Sequence, residues 1–178
     1  MAEENDACAV AHGGTSPAAP QATPHVAERA LVAVFASPVS GFLLRYAADA
    51  GYRGLLVEPD GARASGARMA GFTVADVMPD ALDGADVVVT DHHREELGYL
   101  LRDALAAKAR WVGIMGNPHH EGPHVAALEA LGVDPGDIAL VHRPIGLNIG
   151  SRTPPEIALS TLAGLLADRN SRPGGFSF

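Results

Sequence analysis

Cysteine is almost missing from this chain. Its single copy, Cys8, sits in the N-terminal segment and cannot form an internal disulfide, which excludes a disulfide-stapled fold and fits a reducing compartment. Positive charge is also scarce. Thirteen Lys and Arg against 21 Asp and Glu leave a formal net charge of −8, which disfavours nucleic acid, an anionic membrane surface or an acidic partner. No apolar run approaches the roughly 20 residues that span a bilayer. The N-terminus carries acids where a signal peptide carries bases. These absences together predict a cytoplasmic protein.

What is present describes a globular domain. The chain is 47% apolar, enough for a substantial core within 178 residues. Residues 1–26 are rich in Ala, Pro, Gly, Ser and Thr with few large apolar side chains, and such a composition predicts a disordered tail. A Rossmann-like domain is expected over residues 27–170, with a flexible C-terminus at 171–178. Within it, short apolar runs at Ala30–Phe35, Gly54–Val57, Phe72–Val74, Ala85–Thr90 and Trp111–Met115 read as strands buried on both faces. Between them, apolar residues at helical spacing predict helices, as at Leu97, Leu100, Leu101 and Ala104, or at Ile157, Thr161, Leu162 and Leu165. Strand-helix alternation of this kind implies right-handed crossovers and a doubly wound parallel sheet with helices on both faces.

The most distinctive stretch runs from Arg143 to Ser160. Gly146 and Gly150 bracket Leu147, Asn148 and Ile149, so the backbone there is free to take positive φ or approach another group closely. Thr153, Pro154, Pro155 and Glu156 form a T-x-x-E capping box with proline at the first helical position. A glycine-hinged loop feeding a helix N-terminus is suited to an anion, with Ser151 and Arg152 at its mouth. It is equally suited to be a tight connection that delivers the last helix to the sheet.

Dinucleotide-binding sheets carry G-x-G-x-x-G at the first strand-helix turn. Here that turn reads Ala36, Ser37, Pro38, Val39, Ser40, Gly41, and it keeps the third glycine only. Pro38 removes an N–H where the backbone would meet a pyrophosphate. Ser37 and Pro38 instead make a good N-cap and first helical residue. Ser40 and the N–H groups of Val39 and Ser40 could still receive a phosphate. Glu58 ends the second strand about 20 residues on, where an acid would bind a ribose 2′-hydroxyl and favour NAD over NADP. Followed by Pro59, Asp60 and Gly61, it is also a plain turn.

In order, the degenerate turn, Glu58, the Thr90-Asp91-His92-His93 strand end, the Val112–Gly116 strand end and the Pro144–Ser160 block resemble the C-terminal Rossmann domain of the xanthine dehydrogenase accessory (XdhC/CoxI) family. The family's last motif reads approximately PIGLDIGARTPEEIALSI. This chain matches it at Pro144–Leu147, Ile149, Gly150, Arg152–Pro154 and Glu156–Ser160, with Asn148 and Ser151 as departures. The resemblance covers about residues 28 to 168. It implies a Rossmann fold and a role in maturing a molybdenum hydroxylase such as xanthine or carbon monoxide dehydrogenase. The molybdenum cofactor would then be met only through a partner, either the hydroxylase or a separate accessory chain. A docking or homodimerising module is the form this role takes.

The residue reading and the resemblance together put cofactor-binding candidates at Ser37, Ser40, Gly41, Glu58, Thr90, His93, Gly146, Asn148, Gly150, Ser151 and Arg152, with NAD(H) as the cofactor if any binds. Its departures weaken that binding. The family's GAGHVG-like turn is lost, and its GSRR-like basic loop is replaced by Asn117, Pro118, His119 and His120. The family's N-terminal domain, whose cysteine is associated with the molybdenum cofactor, has no counterpart motif here, and Cys8 matches none. A stand-alone Rossmann half is therefore expected.

Histidines give an independent signal. His92, His93, His119, His120, His124 and His142 all fall at or beyond predicted strand ends. With Asp91 and Glu121 they include zinc-ligand types, His92, His93, His119 and His120 foremost, though in no standard spacing. Two other readings therefore stand beside the accessory module. One is an NAD(P)-dependent oxidoreductase using Glu58, Thr90–His93 and Gly146–Arg152. The other is a histidine-based anion or metal binder.

Overall fold

The computed structural model describes residues 29–116 and 122–175. Six strands form one all-parallel sheet: β1 (Arg29–Val34), β2 (Tyr52–Val57), β3 (Val74–Ala75), β4 (Ala85–Val89), β5 (Trp111–Ile114) and β6 (Val141–His142), in the order β3-β2-β1-β4-β5-β6. The register sets Leu31 beside both Gly54 and Asp86, and Val87 beside Val112. This is the Rossmann-like α/β fold.

The two-residue alternation of strand side chains explains why these runs are apolar throughout. In β1, Leu31 and Ala33 point into one core with the helices α1 (Pro38–Asp49) and α6 (Pro154–Arg169), which pack on each other. Val32 and Val34 point into the opposite core, formed with α3 (Leu97–Ala106), α4 (Pro123–Glu129) and the single turn α5 (Pro135–Ile138). The helix α2 (Gly61–Met69) lies between β2 and β3 on the α1 side. Both faces of the sheet are thereby covered.

Three elements go beyond the sequence reading. β6 is only two residues long, α5 only four, and α2 buries only Ala64 fully, so none has an apolar stripe of readable period. Between β3 and β4 no helix forms; Met78 and Leu82 of the connecting loop fill the core there.

An ionic cluster ties the amino ends of the strands to α6. Asp86 is wholly buried in β4, and its carboxylate accepts from Arg110 Nε at 2.7 Å and Arg169 Nε at 2.7 Å. Arg169 Nη2 also donates to the Gly84 carbonyl at 2.6 Å, and Arg110 Nη1 to Asp168 at 2.6 Å. Burial pushes the Asp86 carboxyl up, against the opposing pull of the two arginines.

Candidate functional site

The crossover direction reverses between β1 and β4, and in open sheets of this kind the ligand crevice lies outside the carboxyl ends at that point. A cleft of about 730 Å3 opens there. Its walls come from the first turn (Val39), the ends of β4 and β5 (Thr90, His92, Met115, Gly116), the loop Pro144–Ser151 and the first turns of α6. Among the described residues, His92 is the one titratable side chain lining it. Burial and then the neighbouring His93 hold the His92 pKa below its ordinary value.

Glycine has two distinct reasons in the Pro144–Ser151 loop. Gly146 has φ +86°, and a Cβ there would come within 2.9 Å of Ser160 Oγ and 3.1 Å of the α6 backbone. Gly164, one turn further along α6, faces Gly146 in turn, and a Cβ on it would sit 3.0 Å from the Gly146 Cα. Loop and helix touch backbone to backbone. Gly150 has φ +69° but nothing within 4 Å, so conformation alone calls for glycine there. Asn148, Gly150 and Ser151 line the cleft together with Gly146.

Neither helix N-terminus beside the cleft is free for an anion. At α6 the prolines Pro154 and Pro155 have no N–H, and Glu156 Oε2 accepts from Arg152 N at 2.9 Å and Thr153 N at 3.0 Å. Those two N–H groups hold the Glu156 carboxyl below the usual carboxylate range. Arg152 itself is exposed and outside the cleft lining. At α1 the residues Ser37 and Ser40 close a capping box: Ser40 N donates to Ser37 Oγ at 3.0 Å and Ser37 N to Ser40 Oγ at 2.9 Å. Ser40 Oγ donates in turn to the Ser37 carbonyl at 2.9 Å. Pro38 has no donor, and the Ser40 N–H expected to receive a phosphate is committed to Ser37. Thr90 Oγ1 lies 3.0 Å from the Val34 and Phe35 carbonyls and 3.0 Å from Ser37 Oγ, so it pins the turn to β4.

Gly41, the surviving glycine of the turn, is not in a close approach. A Cβ there would meet the Phe72 ring at 3.7 Å, an ordinary contact.

Glu58 stands at the strand end where a ribose would be read, and it is wholly buried. Its carboxylate accepts from Ala36 N at 2.7 Å, Asp60 N at 2.9 Å, and Arg94 Nη1 and Nη2 at 3.4 and 3.1 Å. Arg94 completes a bridge to Glu96, donating from Nε at 3.3 Å and Nη2 at 3.1 Å. Arg94 holds the Glu96 carboxyl below its ordinary range. The guanidinium also lies 4.7 Å above the Phe35 ring. In the sequence Phe35 reads only as the end of the first strand, and Arg94 does not stand out at all. Positive φ at an aromatic residue and a pairing across 36 positions leave no periodic trace.

The histidines do not converge among the described residues. The His92 and His93 rings lie 4.0 Å apart, tilted by 40°, but no group of three or more His, Cys, Asp or Glu is placed to hold a metal ion there. His93 is outside the cleft lining, and its N–H is taken by Asp91 Oδ1 at 3.0 Å. His124 is buried in α4, and burial, then the charge of Arg143, lowers its pKa. The candidates His119 and His120, with Glu121 and Cys8, lie outside the described residues.

Fold and cleft together define a Rossmann module of the type built around a switch-point crevice. The chain belongs to the XdhC Rossmann domain family, whose model matches residues 31–165. A curated relative, the uncharacterized protein YqeB of Escherichia coli K12, is 34% identical over 100 residues, which is 56% of this chain and 17% of YqeB. Among solved structures, a Bacillus halodurans protein described as a xanthine dehydrogenase matches with a TM-score of 0.64 and 20% identity. That match covers 84% of this chain and 45% of the other, and at that identity it speaks for the fold alone. The chain thus spans less than half the length of either protein. No helix among the described residues is long and apolar enough to cross a membrane.

Proposed function

We propose that this chain is an accessory module for the maturation of a molybdenum hydroxylase of the xanthine or carbon monoxide dehydrogenase type, acting in the cytoplasm by docking or dimerisation. Dinucleotide binding is silent in it. The observation that carries this reading is the internal saturation of Glu58: the carboxylate that would take a ribose is occupied by two backbone N–H groups and Arg94. The capped turn at Ser37 and Ser40 supports it, because the pyrophosphate anchor is used up as well. Membership of the XdhC Rossmann domain family supports the hydroxylase as client. The molybdenum cofactor is carried by that partner in this scheme.

The test is to produce a molybdenum hydroxylase with and without this chain in the same host and to measure its activity and molybdenum per subunit. Higher molybdenum occupancy with the chain present supports the accessory role. Equal occupancy, with no co-purification of the two proteins, contradicts it. The cleft of about 730 Å3 favours one second reading, a small-molecule-binding protein, since its volume falls in the range of ordinary ligand sites.

A further inference from the structure

We propose that Arg94 is an autoinhibitory latch on a nucleoside site, holding Glu58 against the vicinal diol of a ribonucleoside. The inference rests on the silent-site reading above and gives its physical cause.

Three observations point to a latch and not to a fixed core pair. First, the contact is asymmetric. Glu58 is wholly buried and directly follows the last residue of β2, with its N–H bound to the Ala75 carbonyl, whereas Arg94 belongs to the loop between β4 and α3, with its side chain 13% exposed. Its outer carboxylate partner, Glu96, is 39% exposed and opens onto solvent. The loop end is thus the one that can leave. Second, Arg94 occupies the acceptor as a diol would, with two donor nitrogens on the two carboxylate oxygens at 3.4 and 3.1 Å. Two vicinal hydroxyls present the same pair of donors to the same pair of oxygens.

Third, backbone strain sits under the latch. Phe35 has φ +72°, in the left-handed region that a bulky side chain rarely takes, and its ring is the one the Arg94 guanidinium covers. The next residue, Ala36, gives its N–H to Glu58. Turn, acid and latch therefore form one connected unit. A cavity of about 300 Å3 lies against the same turn, lined by Ala36, Ser37, Arg63 and Phe72, and Ala36, which gives its N–H to Glu58, is the residue that joins the two.

Removing Arg94 leaves Glu58 with its two backbone donors and a free side for hydroxyls. The experiment compares adenosine with 2′-deoxyadenosine by calorimetric titration of the full chain. Wild type, Arg94→Ala, Glu96→Gln and Arg94→Ala with Glu58→Gln are measured side by side. Adenosine should bind Arg94→Ala at least tenfold more tightly than wild type, with 2′-deoxyadenosine much weaker. The double variant should return to the wild-type level. Glu96→Gln removes one of the two charges that hold Arg94 and leaves Glu58 paired, so it folds even where Arg94→Ala does not. It should give a smaller gain in the same direction.

If neither single variant gains adenosine affinity, or if adenosine and 2′-deoxyadenosine gain alike, the latch is overturned. The silent-site reading would survive that result. Tight adenosine binding by the wild type would instead contradict the silent site itself.

Discussion

The Arg169 guanidinium donates to Asp86 Oδ2 at 2.7 Å across 83 residues of sequence, joining the end of the last helix to the centre of the sheet. Asp86 is wholly buried, and Arg110 shares the same carboxylate. Removal of one partner from a buried pair leaves uncompensated charge. Asp86→Ala should therefore lower stability by about 3 kcal/mol, the low end for buried pairs, because both arginines are partly exposed and can turn to water. Arg169→Ala should cost less, since Arg110 remains on the acid. Denaturant unfolding of the two variants checks the order.

Gly146 makes a sharper steric prediction. A side chain there meets Ser160 and the α6 backbone and must also hold φ +86°. Gly146→Ala should destabilise by about 3 kcal/mol, combining positive φ and overpacking. Gly150→Ala, with positive φ but open space, should cost about 1 kcal/mol. Equal losses at both sites would show that the contact with α6 contributes nothing.

The stability of the domain should fall on acidification in two separate windows. His124 has its pKa lowered by burial and by Arg143, so the unfolded chain takes up a proton first as pH drops below 6.5. The stability it contributes is present above that value and is lost as pH falls toward the folded pKa. Glu156 is lowered by the N–H groups of Arg152 and Thr153, so its contribution is lost only below the ordinary carboxyl value of 4.5. Thermal unfolding across pH should show a shallower upper slope in His124→Gln, where His92 still contributes, and a shallower lower slope in Glu156→Gln, where Glu96 and Asp60 still contribute.

Arg152 offers a direct check on the last loop. Its backbone N–H is bound to Glu156, and its side chain lies outside the cleft lining. Arg152→Ala should therefore leave the binding of inorganic phosphate unchanged, as measured by titration at neutral pH. A severalfold loss of phosphate affinity would restore this loop as an anion site.

The fold was legible because its central strands are apolar on both faces. The alternation of Leu31 and Ala33 with Val32 and Val34 needs cover on either side, and helical spacing around Leu97 and Ile157 supplied it. The short pieces were not: β6 has too few residues to carry a period, and α2, reading GARASGARM, has no apolar stripe. The capping boxes at Ser37 and Thr153 were readable from residue type and spacing. What filled them was less so. A capping box satisfies a helix N-terminus from within, so the same signal that marks the helix start also removes the anion site expected there. Glu58 was visible as a strand-end acid. Its partner was hidden, because Arg94 reaches it from a loop 36 positions away.

The most direct test of the account is thermal unfolding of the wild-type chain with NAD, NADH, NADP, NADPH and AMP, each at millimolar concentration, against buffer alone. The account predicts no shift with any of the five, because turn and acid are both satisfied internally. A nucleotide present at 100 times its dissociation constant would add about 2.7 kcal/mol, equivalent to roughly 5–10 °C for a chain of this size. A shift of that order with NAD or NADH would contradict the account and make the chain a dinucleotide-binding protein.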